Sequence, residues 1–455
     1  MNSLKGLTAL VLFACSPVVA KEIDFTRYLG QHSFQSPKND IQFIGTLGKG
    51  RLIISGDTNT NLTILLNGKN VTVPTQLVGK SIEIPIYLVK KNTMSVNIKS
   101  PLSSIVKIRI KQQASIDLNV QARVHFNTNV SNFNAARKFY GKLGFETISG
   151  FPDTNTQEMA QAIGIRTPTD YDGSNGEHAG GYLLHGELIG PGGFWGGVID
   201  LIEFSIPRNE EPPYSKMNHL GMASASMYTN DIAADYQYMR SLGVEFLSTP
   251  TQKSDGTKFV VFKDLDGTFY ELIEEEGENI ETETTQITRL GHVNFNVSDL
   301  ERSNAWYQMF GYEIEREIPT HESKEVANAM GFSDQFKVQG NFLVHKIDAS
   351  TIKLTQWLDP FDPETAYPIP VNHLGIHRTA YSTTDIESDV AALKEQGVKF
   401  VSPITPCCSG EDSSSSIVAF YDPDGTIVEL VEQPYLFHLI FNLINWFNKT
   451  FLKPS

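Results

Sequence analysis

Phe262-Lys-Asp264-Leu-Asp266-Gly267-Thr-Phe-Tyr-Glu271-Leu272-Ile-Glu decides the reading of this chain, because it returns as Phe420-Tyr-Asp422-Pro-Asp424-Gly425-Thr-Ile-Val-Glu429-Leu430-Val-Glu. Each copy reads as strand, tight turn, strand. In Asp-x-Asp-Gly the first aspartate bonds the backbone of the turn and the glycine takes a positive φ. Apolar residues on both sides mark the flanking strands. A lone carboxylate, Glu271 or Glu429, then stands among β-branched and aromatic neighbours. Two orientations are open to it: outward on a half-exposed strand, or inward, where a buried carboxylate requires a partner.

Working outward, the repeat lengthens. Val124-His125-Phe-Asn-Thr-Asn-Val130 alternates as a strand, and Asn132 to Leu143 reads as a helix with Phe133, Ala136, Phe139, Tyr140 and Leu143 on one face. Gly144 is its stop signal. The same pattern recurs as the strand from His292, the helix from Leu300 to Phe310 and the stop at Gly311. Met159-Ala-Gln-Ala-Ile-Gly164 matches Val326-Ala-Asn-Ala-Met-Gly331, and Asn218-His219-Leu-Gly221 matches Asn372-His373-Leu-Gly375. Helices at Asp231–Gly243 and Asp385–Gly397 complete the series. Residues 121–275 and 289–433 are therefore two copies of one unit, each containing two strand–helix–strands modules.

Asp-Pro-Asp-Gly-x-x-x-Glu-Leu resembles the closing hairpin of the vicinal oxygen chelate superfamily, which includes glyoxalase I, methylmalonyl-CoA epimerase, extradiol dioxygenases and bleomycin-resistance proteins. The resemblance covers about two thirds of the chain. It implies an α+β fold: two tandem vicinal-oxygen-chelate domains, each of paired βαβββ modules around a cupped site. It also implies that the first and last strands of each module supply the inward residues, and that the last-strand Glu ligates a metal.

Carried onto this chain, those positions are His125, Asp200, Ser224 and Glu271 in the first copy. His125, Asp200 and Glu271 would hold a divalent ion (Zn, Fe, Mn or Ni), with Glu271 also catalytic and Ser224 against the ligand. Three protein ligands plus water suit a catalytic metal. The second copy offers His292, Lys353, Arg378 and Glu429. Lys353 and Arg378 repel a metal, but would hold an anionic ligand or pair with Glu429. A one-residue bulge would put His377 in place of Arg378. The expectation is thus a metal in the first cup only. The implied function is metal-dependent lyase, isomerase or ring-cleaving dioxygenase chemistry on a small molecule with vicinal oxygens. The alternative is a bleomycin-resistance-like binding protein with degenerate metal sites. His185, His345, His219 and His373 recur in matched pairs, and a duplicated fold duplicates structural histidines too.

The remaining segments have other signatures. Residues 1–20 read as an export signal: Lys5, an apolar core from Leu7 to Ala14, and Val18-Val-Ala20 before the cut. Leu12-Phe-Ala-Cys15 also resembles a lipoprotein box. Either route exports the mature protein, to the periplasm or beyond. Residues 22–117 alternate in short runs with an Asn67-Gly68 hairpin signal, as a small β-sandwich does. Residues 276–288 form an acidic linker. Residues 434–455 carry an apolar helical stripe from Leu436 to Phe451, which either docks on the body or lies in a membrane interface. Gly190 to Gly197, with Phe194 and Trp195, reads as a mobile lid or as ordinary loop drift. Cys407 and Cys408 are adjacent, in a surface loop or a vicinal disulfide. A net charge of −15 with no basic stripe excludes nucleic acid as an expected partner.

Overall fold

The computed structural model describes residues 26–34, 38–44, 48–56, 61–73, 81–89, 91–99, 106–113, 117–150, 162–164, 183–192, 196–278, 283–362, 370–407 and 415–433. The export signal, the C-terminal stripe, Cys408 and the Phe194–Trp195 pair lie outside the described residues.

Eight strands come first: β1 (Thr26–Phe34), β2 (Lys38–Ile44), β3 (Gly48–Gly56), β4 (Asn61–Leu66), β5 (Lys69–Val71), β6 (Ile82–Leu88), β7 (Lys91–Lys99) and β8 (Val106–Gln113). They form two antiparallel sheets, ordered β1-β8-β3-β6 and β2-β7-β4-β5. Alternate side chains of both, among them Leu52, Ile54, Ile64, Val96 and Ile110, share one apolar cluster. Asn67 and Gly68 both have positive φ, 51° and 78°, as a two-residue hairpin turn between β4 and β5 requires.

Four modules follow. The first is β9 (Val120–Asn129), α1 (Phe133–Lys142), β10 (Phe145–Gly150), β11 (Leu183–Pro191) and β12 (Ile199–Ile206). The second is β13 (Gly221–Thr229), α2 (Ile232–Ser241), β14 (Glu245–Phe246), β15 (Thr251–Gln252), β16 (Lys258–Lys263) and β17 (Phe269–Glu274). The third is β18 (Ile287–Asn296), α3 (Leu300–Met309), β19 (Tyr312–Glu317), α4 (Lys324–Ala329), β20 (Lys337–His345) and β21 (Thr351–Asp359). The fourth is β22 (Arg378–Thr383), α5 (Ile386–Glu395), β23 (Thr405–Pro406), β24 (Ser416–Tyr421) and β25 (Ile427–Glu432). The opening helix of every module is N-capped by the residue the sequence suggests: Asn132, Asp231, Asp299 and Asp385 each accept a backbone N–H one turn on. The acidic linker ends earlier than its composition indicates. Thr285 is buried and Ile287 already belongs to β18.

Pairing between modules departs from the sequence expectation. One sheet is ordered β10-β11-β12-β9-β22-β25-β24-β23, and the other β14-β16-β17-β13-β18-β21-β20-β19. Modules one and four thus close one cup, and modules two and three the other. Neither cup is built from a single sequence copy. The seams are antiparallel: β9 on β22, with Phe126 opposite Thr379, and β13 on β18, with Ser224 opposite Asn294. Each seam is clamped at its end. Asn129 Nδ2 donates to the Val371 and His373 carbonyls, both at 2.8 Å. Asn296 Nδ2 donates to the Met217 and His219 carbonyls at 2.7 and 2.6 Å.

The repeated turn does what its sequence implies. Asp264 Oδ1 accepts from the Asp266 and Thr268 N–H groups, and Gly267 has φ 96°. Asp422 Oδ1 accepts likewise from Asp424 and Thr426. Each turn also reaches a helix of the preceding module. The Tyr140 hydroxyl donates to Asp264 at 3.2 Å and the Tyr307 hydroxyl to Asp422 at 3.0 Å. So turns join modules within a copy, and sheets join modules between copies.

Burial, then the neighbouring Asp424, push the Asp422 carboxyl up to about 7 against the backbone and Tyr307 bonds that favour its charge. A carboxyl raised on folding binds its proton more tightly in the folded state. Its contribution to stability therefore grows as pH falls from about 8 through 7 toward the ordinary carboxylate range. The stability difference between wild type and Asp422→Asn should shift toward wild type by on the order of 1–3 kcal/mol between pH 8 and 5.5. Urea midpoints at the two pH values measure this, and a pH-independent difference would refute it.

Candidate functional site

The cup of modules two and three is open. Ser224 and Ser226 come from β13, Glu271 from β17, His292 and Asn294 from β18, and Lys353 from β21. Their alternation along each strand turns them to the same concave face. Lys253 enters from the loop after β15. Ser224, Lys253, Glu271, His292, Asn294 and Lys353 floor a cavity of about 540 Å³, and Met217, Met330, Phe336, Val338 and Trp357 form its apolar wall; Ser226 lies behind His292.

Glu271 is fully buried and saturated with donors. Lys253 Nζ donates to Oε2 at 2.9 Å, Asn294 Nδ2 donates to Oε1 at 3.0 Å, and Lys353 Nζ stands 3.6 Å from Oε1. Burial raises the Glu271 carboxyl, but the Lys253 and Lys353 ammonium groups outweigh it and hold it well below the usual range. Burial pulls the Lys353 ammonium down, with Glu271 opposing.

His292 is also buried, and its imidazole is held neutral chiefly by that burial, against Glu271. The Ser226 hydroxyl donates to the His292 carbonyl at 3.1 Å, and its oxygen lies 3.0 Å from Nδ1. That bonding assigns the ring proton to Nδ1. Nε2 keeps a lone pair, and neither it nor Asn294 Oδ1 has a hydrogen-bond partner among the described residues. Phe342 lies beside both active groups, 5.0 Å from the His292 ring and 5.9 Å from Lys353 Nζ.

The cup of modules one and four has a cation at its centre. Arg378 Nη2 donates to Asp200 Oδ2 at 2.9 Å, and Nε lies 3.3 Å from Glu429 Oε1. His125 Nδ1 is 3.9 Å from the same Asp200 oxygen. Burial lowers His125 to about 4 although Glu429 opposes it. Burial raises Asp200 to about 6 and raises Glu429, with Arg378 resisting in both. At the loop position that supplies Lys253 in the other cup, this one has Cys407, which is buried and disulfide-bonded.

These placements revise the expected quartets. Glu271 does not meet His125 and Asp200; it stands with His292, Lys353 and Ser224. Glu429 does not meet His292; it stands with His125, Asp200 and Arg378. The cause is the pairing of modules across copies. Arg378, not His377, is the inward residue on β22. The two cations are also divided, one to each cup, so the first-copy residues do not form a cation-free metal site. His373 bonds its own loop, Nδ1 to the Leu374 carbonyl at 2.8 Å, and Tyr214 stacks between His373 and His219, at 5.2 and 4.6 Å. His345 Nδ1 is paired with Asp348 at 2.8 Å. These histidines are structural. Asn294 was legible, since it lies two residues from His292 on the same strand face. Lys253 carried no signal, because only the folded loop brings it inward.

The donor sets do not fit a divalent ion. Both Glu271 oxygens already face donors, and a divalent ion about 4 Å from each ammonium would meet roughly 8 kcal/mol of repulsion per pair at intermediate dielectric. Arg378 occupies the corresponding point between Asp200 and Glu429. Among the described residues no group of three or more His, Cys, Asp or Glu side chains offers a metal shell.

With this geometry in place, likeness to known proteins is informative. The sequence model of the Glyoxalase/Bleomycin resistance protein/Dioxygenase superfamily matches residues 123–272 and again 289–430, more than half of the chain. The chain belongs to that superfamily. Glyoxalase I from Zea mays aligns with a TM-score of 0.48 and 17% identity, over 73% of this chain and 97% of its own. A putative dioxygenase from Bacillus subtilis aligns with a TM-score of 0.45 and 13% identity, over 70% of this chain and 86% of its own. An uncharacterised protein of Synechocystis sp. is 26% identical over 162 residues, which is 33% of this chain and 42% of that protein. The matched segment thus spans less than half of that relative.

Arg378 holds two buried carboxylates. Arg378→Met leaves them uncompensated and should cost about 3–5 kcal/mol at pH 8. The loss should shrink at pH 5, where Asp200 and Glu429, both already raised, take up protons. Thermal melts at the two pH values read this out. An equal loss at both would show that Arg378 acts through packing rather than charge.

Proposed function

We propose that the cup of modules two and three binds a small oxygenated molecule and moves a proton on it without a metal. Lys253 and Lys353 stand where the resemblance to metal-dependent relatives leads one to expect the ion. The observation that carries this reading is the buried His292, neutral and with Nε2 unpartnered, beside two ammonium groups on an open cavity. A carbonyl oxygen placed on Lys353 Nζ would be polarised. The C–H bond next to that carbonyl breaks, its proton passes to Nε2, and its electron pair moves to the oxygen as an enolate facing the ammonium. Where the deprotonated carbon bears a hydroxyl, that hydroxyl's proton passes to the enolate oxygen, its carbon becomes the new carbonyl, and return of the first proton to the former carbonyl carbon completes an isomerisation. Ser226 positions His292 and fixes its tautomer.

The test is proton exchange in D₂O with a chelator present, followed by NMR over a panel of 2-oxo and 2-hydroxy carbonyl compounds. Wild type should bind at least one compound and exchange its C–H proton. Val338→Trp, which fills the cavity, should abolish binding, and His292→Phe should abolish exchange while binding survives. Equal binding by wild type and Val338→Trp would place the ligand elsewhere, and exchange that persists in His292→Phe would remove the base.

We also propose that this protein works outside the cytoplasm. Support comes from the charged, apolar and small-residue regions of residues 1–20. N-terminal sequencing of the mature form should begin at Lys21. A lipid-modified Cys15 at the terminus would replace a free protein by an anchored one.

A further inference from the structure

Charge, unsatisfied acceptors and an apolar wall together restrict what the open cup can hold. This inference rests on the proposed function and narrows it. The floor holds Lys253, Lys353 and Glu271, two formal positive charges against one negative. Most carboxylates of the lining are already engaged, and Glu276, which also lines it, is exposed to solvent. Glu274 is paired with Lys258 at 2.5 Å, Glu275 with Arg289 at 2.6 Å, and Asp255 with Arg316 at 3.5 Å. Glu322 accepts from the Ser254 N–H and hydroxyl, both at 3.0 Å. Glu322 is a second buried carboxylate of the lining, so the positive excess is local to the floor, where two ammonium groups face the one Glu271 carboxylate and a further anion would find spare donors.

Hydrogen-bond capacity adds a second restriction. Each ammonium has three protons, and Glu271 does not use them all. At the same floor His292 Nε2 and Asn294 Oδ1 are acceptors with no partner among the described residues, on side chains that are 2% and 5% exposed. A carboxylate alone satisfies the lysines and leaves both acceptors empty. A hydroxyl alone satisfies one acceptor and leaves the charge. A hydroxyl on the carbon next to a carboxylate does both. The wall supplies the third restriction, because Met330, Phe336, Val338 and Trp357 give a tail no polar partner but much apolar surface. A cavity of about 540 Å³ exceeds what a three-carbon acid fills.

We infer that the occupant is a 2-hydroxy monocarboxylic acid with an apolar tail, its carboxylate on Lys253 and Lys353 and its hydroxyl proton donated to Asn294 Oδ1, which leaves His292 Nε2 free as the base. Calorimetry on the full chain tests this with four probes: 2-hydroxyoctanoate, octanoate, octane-1,2-diol and lactate. The 2-hydroxyoctanoate should bind about tenfold or more tightly than each of the others, since each lacks one charged or neutral hydrogen-bonding group or the tail. Lys353→Met should weaken the two octyl acids about tenfold and leave the diol unchanged. If the diol binds as tightly as the hydroxy acid, the charge argument is wrong. If octanoate equals 2-hydroxyoctanoate, the hydroxyl assignment is wrong. The wild-type series decides these points even if the variant fails to fold. If none of the four binds while other compounds are lost in Val338→Trp, this ligand class falls and the cup remains a binding site. If nothing binds that Val338→Trp displaces, both readings fall.

Discussion

Two antiparallel seams, β9 on β22 and β13 on β18, determine everything else in the repeated part of the molecule. A βαβββ module buries one face of its sheet under its own helix and leaves a central strand with an unpaired edge. Such an edge must be closed by another strand. Each closes on a module from the other copy, and its first-strand residues then face that partner's last strand. His292 meets Glu271, and His125 meets Glu429, because of this choice. The two clamping asparagines, Asn129 and Asn296, secure it by bonding the backbone where the partner module begins.

Electrostatics in the two cups follow from the same pairing. A carboxylate on the last strand of a module is buried in both, and neither is left alone. In one cup an arginine joins Asp200 and Glu429. In the other, two lysines and an asparagine surround Glu271. Each is a solution to the cost of burying a carboxylate, and each uses a fixed cation where a mobile one would otherwise serve. The solutions differ in what they leave over. Arg378 is shared by two carboxylates, so its cup has no spare cation. Lys253 and Lys353 share one carboxylate, so theirs carries an excess of charge into an open cavity. The cup we propose as the binding site differs from the other by that one spare cation.

The loop after the second strand–helix pair makes the contrast sharper. In module two it delivers Lys253 to Glu271 and lays the ammonium 4.3 Å from the Phe259 ring centre. Its tip is tied across the seam by Ser254 to Glu322 and by Asp255 to Arg316. In module four the equivalent place is Cys407, apolar in surroundings and disulfide-bonded. The two cups thus share a sheet geometry and differ at single positions that face inward.

How much of this the sequence carried can be judged position by position. The Asp-x-Asp-Gly turns, the four capped helices and the twofold repeat are local or periodic features, and short-range hydrogen bonding and side-chain alternation fix them within a few residues. The inward residues His125, Asp200, Ser224, His292, Lys353, Arg378 and Glu271 were legible for the same reason. Their partners were not. The copies match at the positions that clamp the seams, Asn127 and Asn129 against Asn294 and Asn296 and Asn218-His219 against Asn372-His373. Pairing within a copy and pairing between copies therefore satisfy the same local rules. The choice depends on how the connecting segments and the helix cluster fill space in three dimensions, as does the arrival of Lys253 at Glu271. Sequence by itself determined which strand side chains face the cups; only the tertiary structure decided which of them share a cup and brought Lys253 to stand beside Lys353 there, because both depend on contacts far apart in the chain.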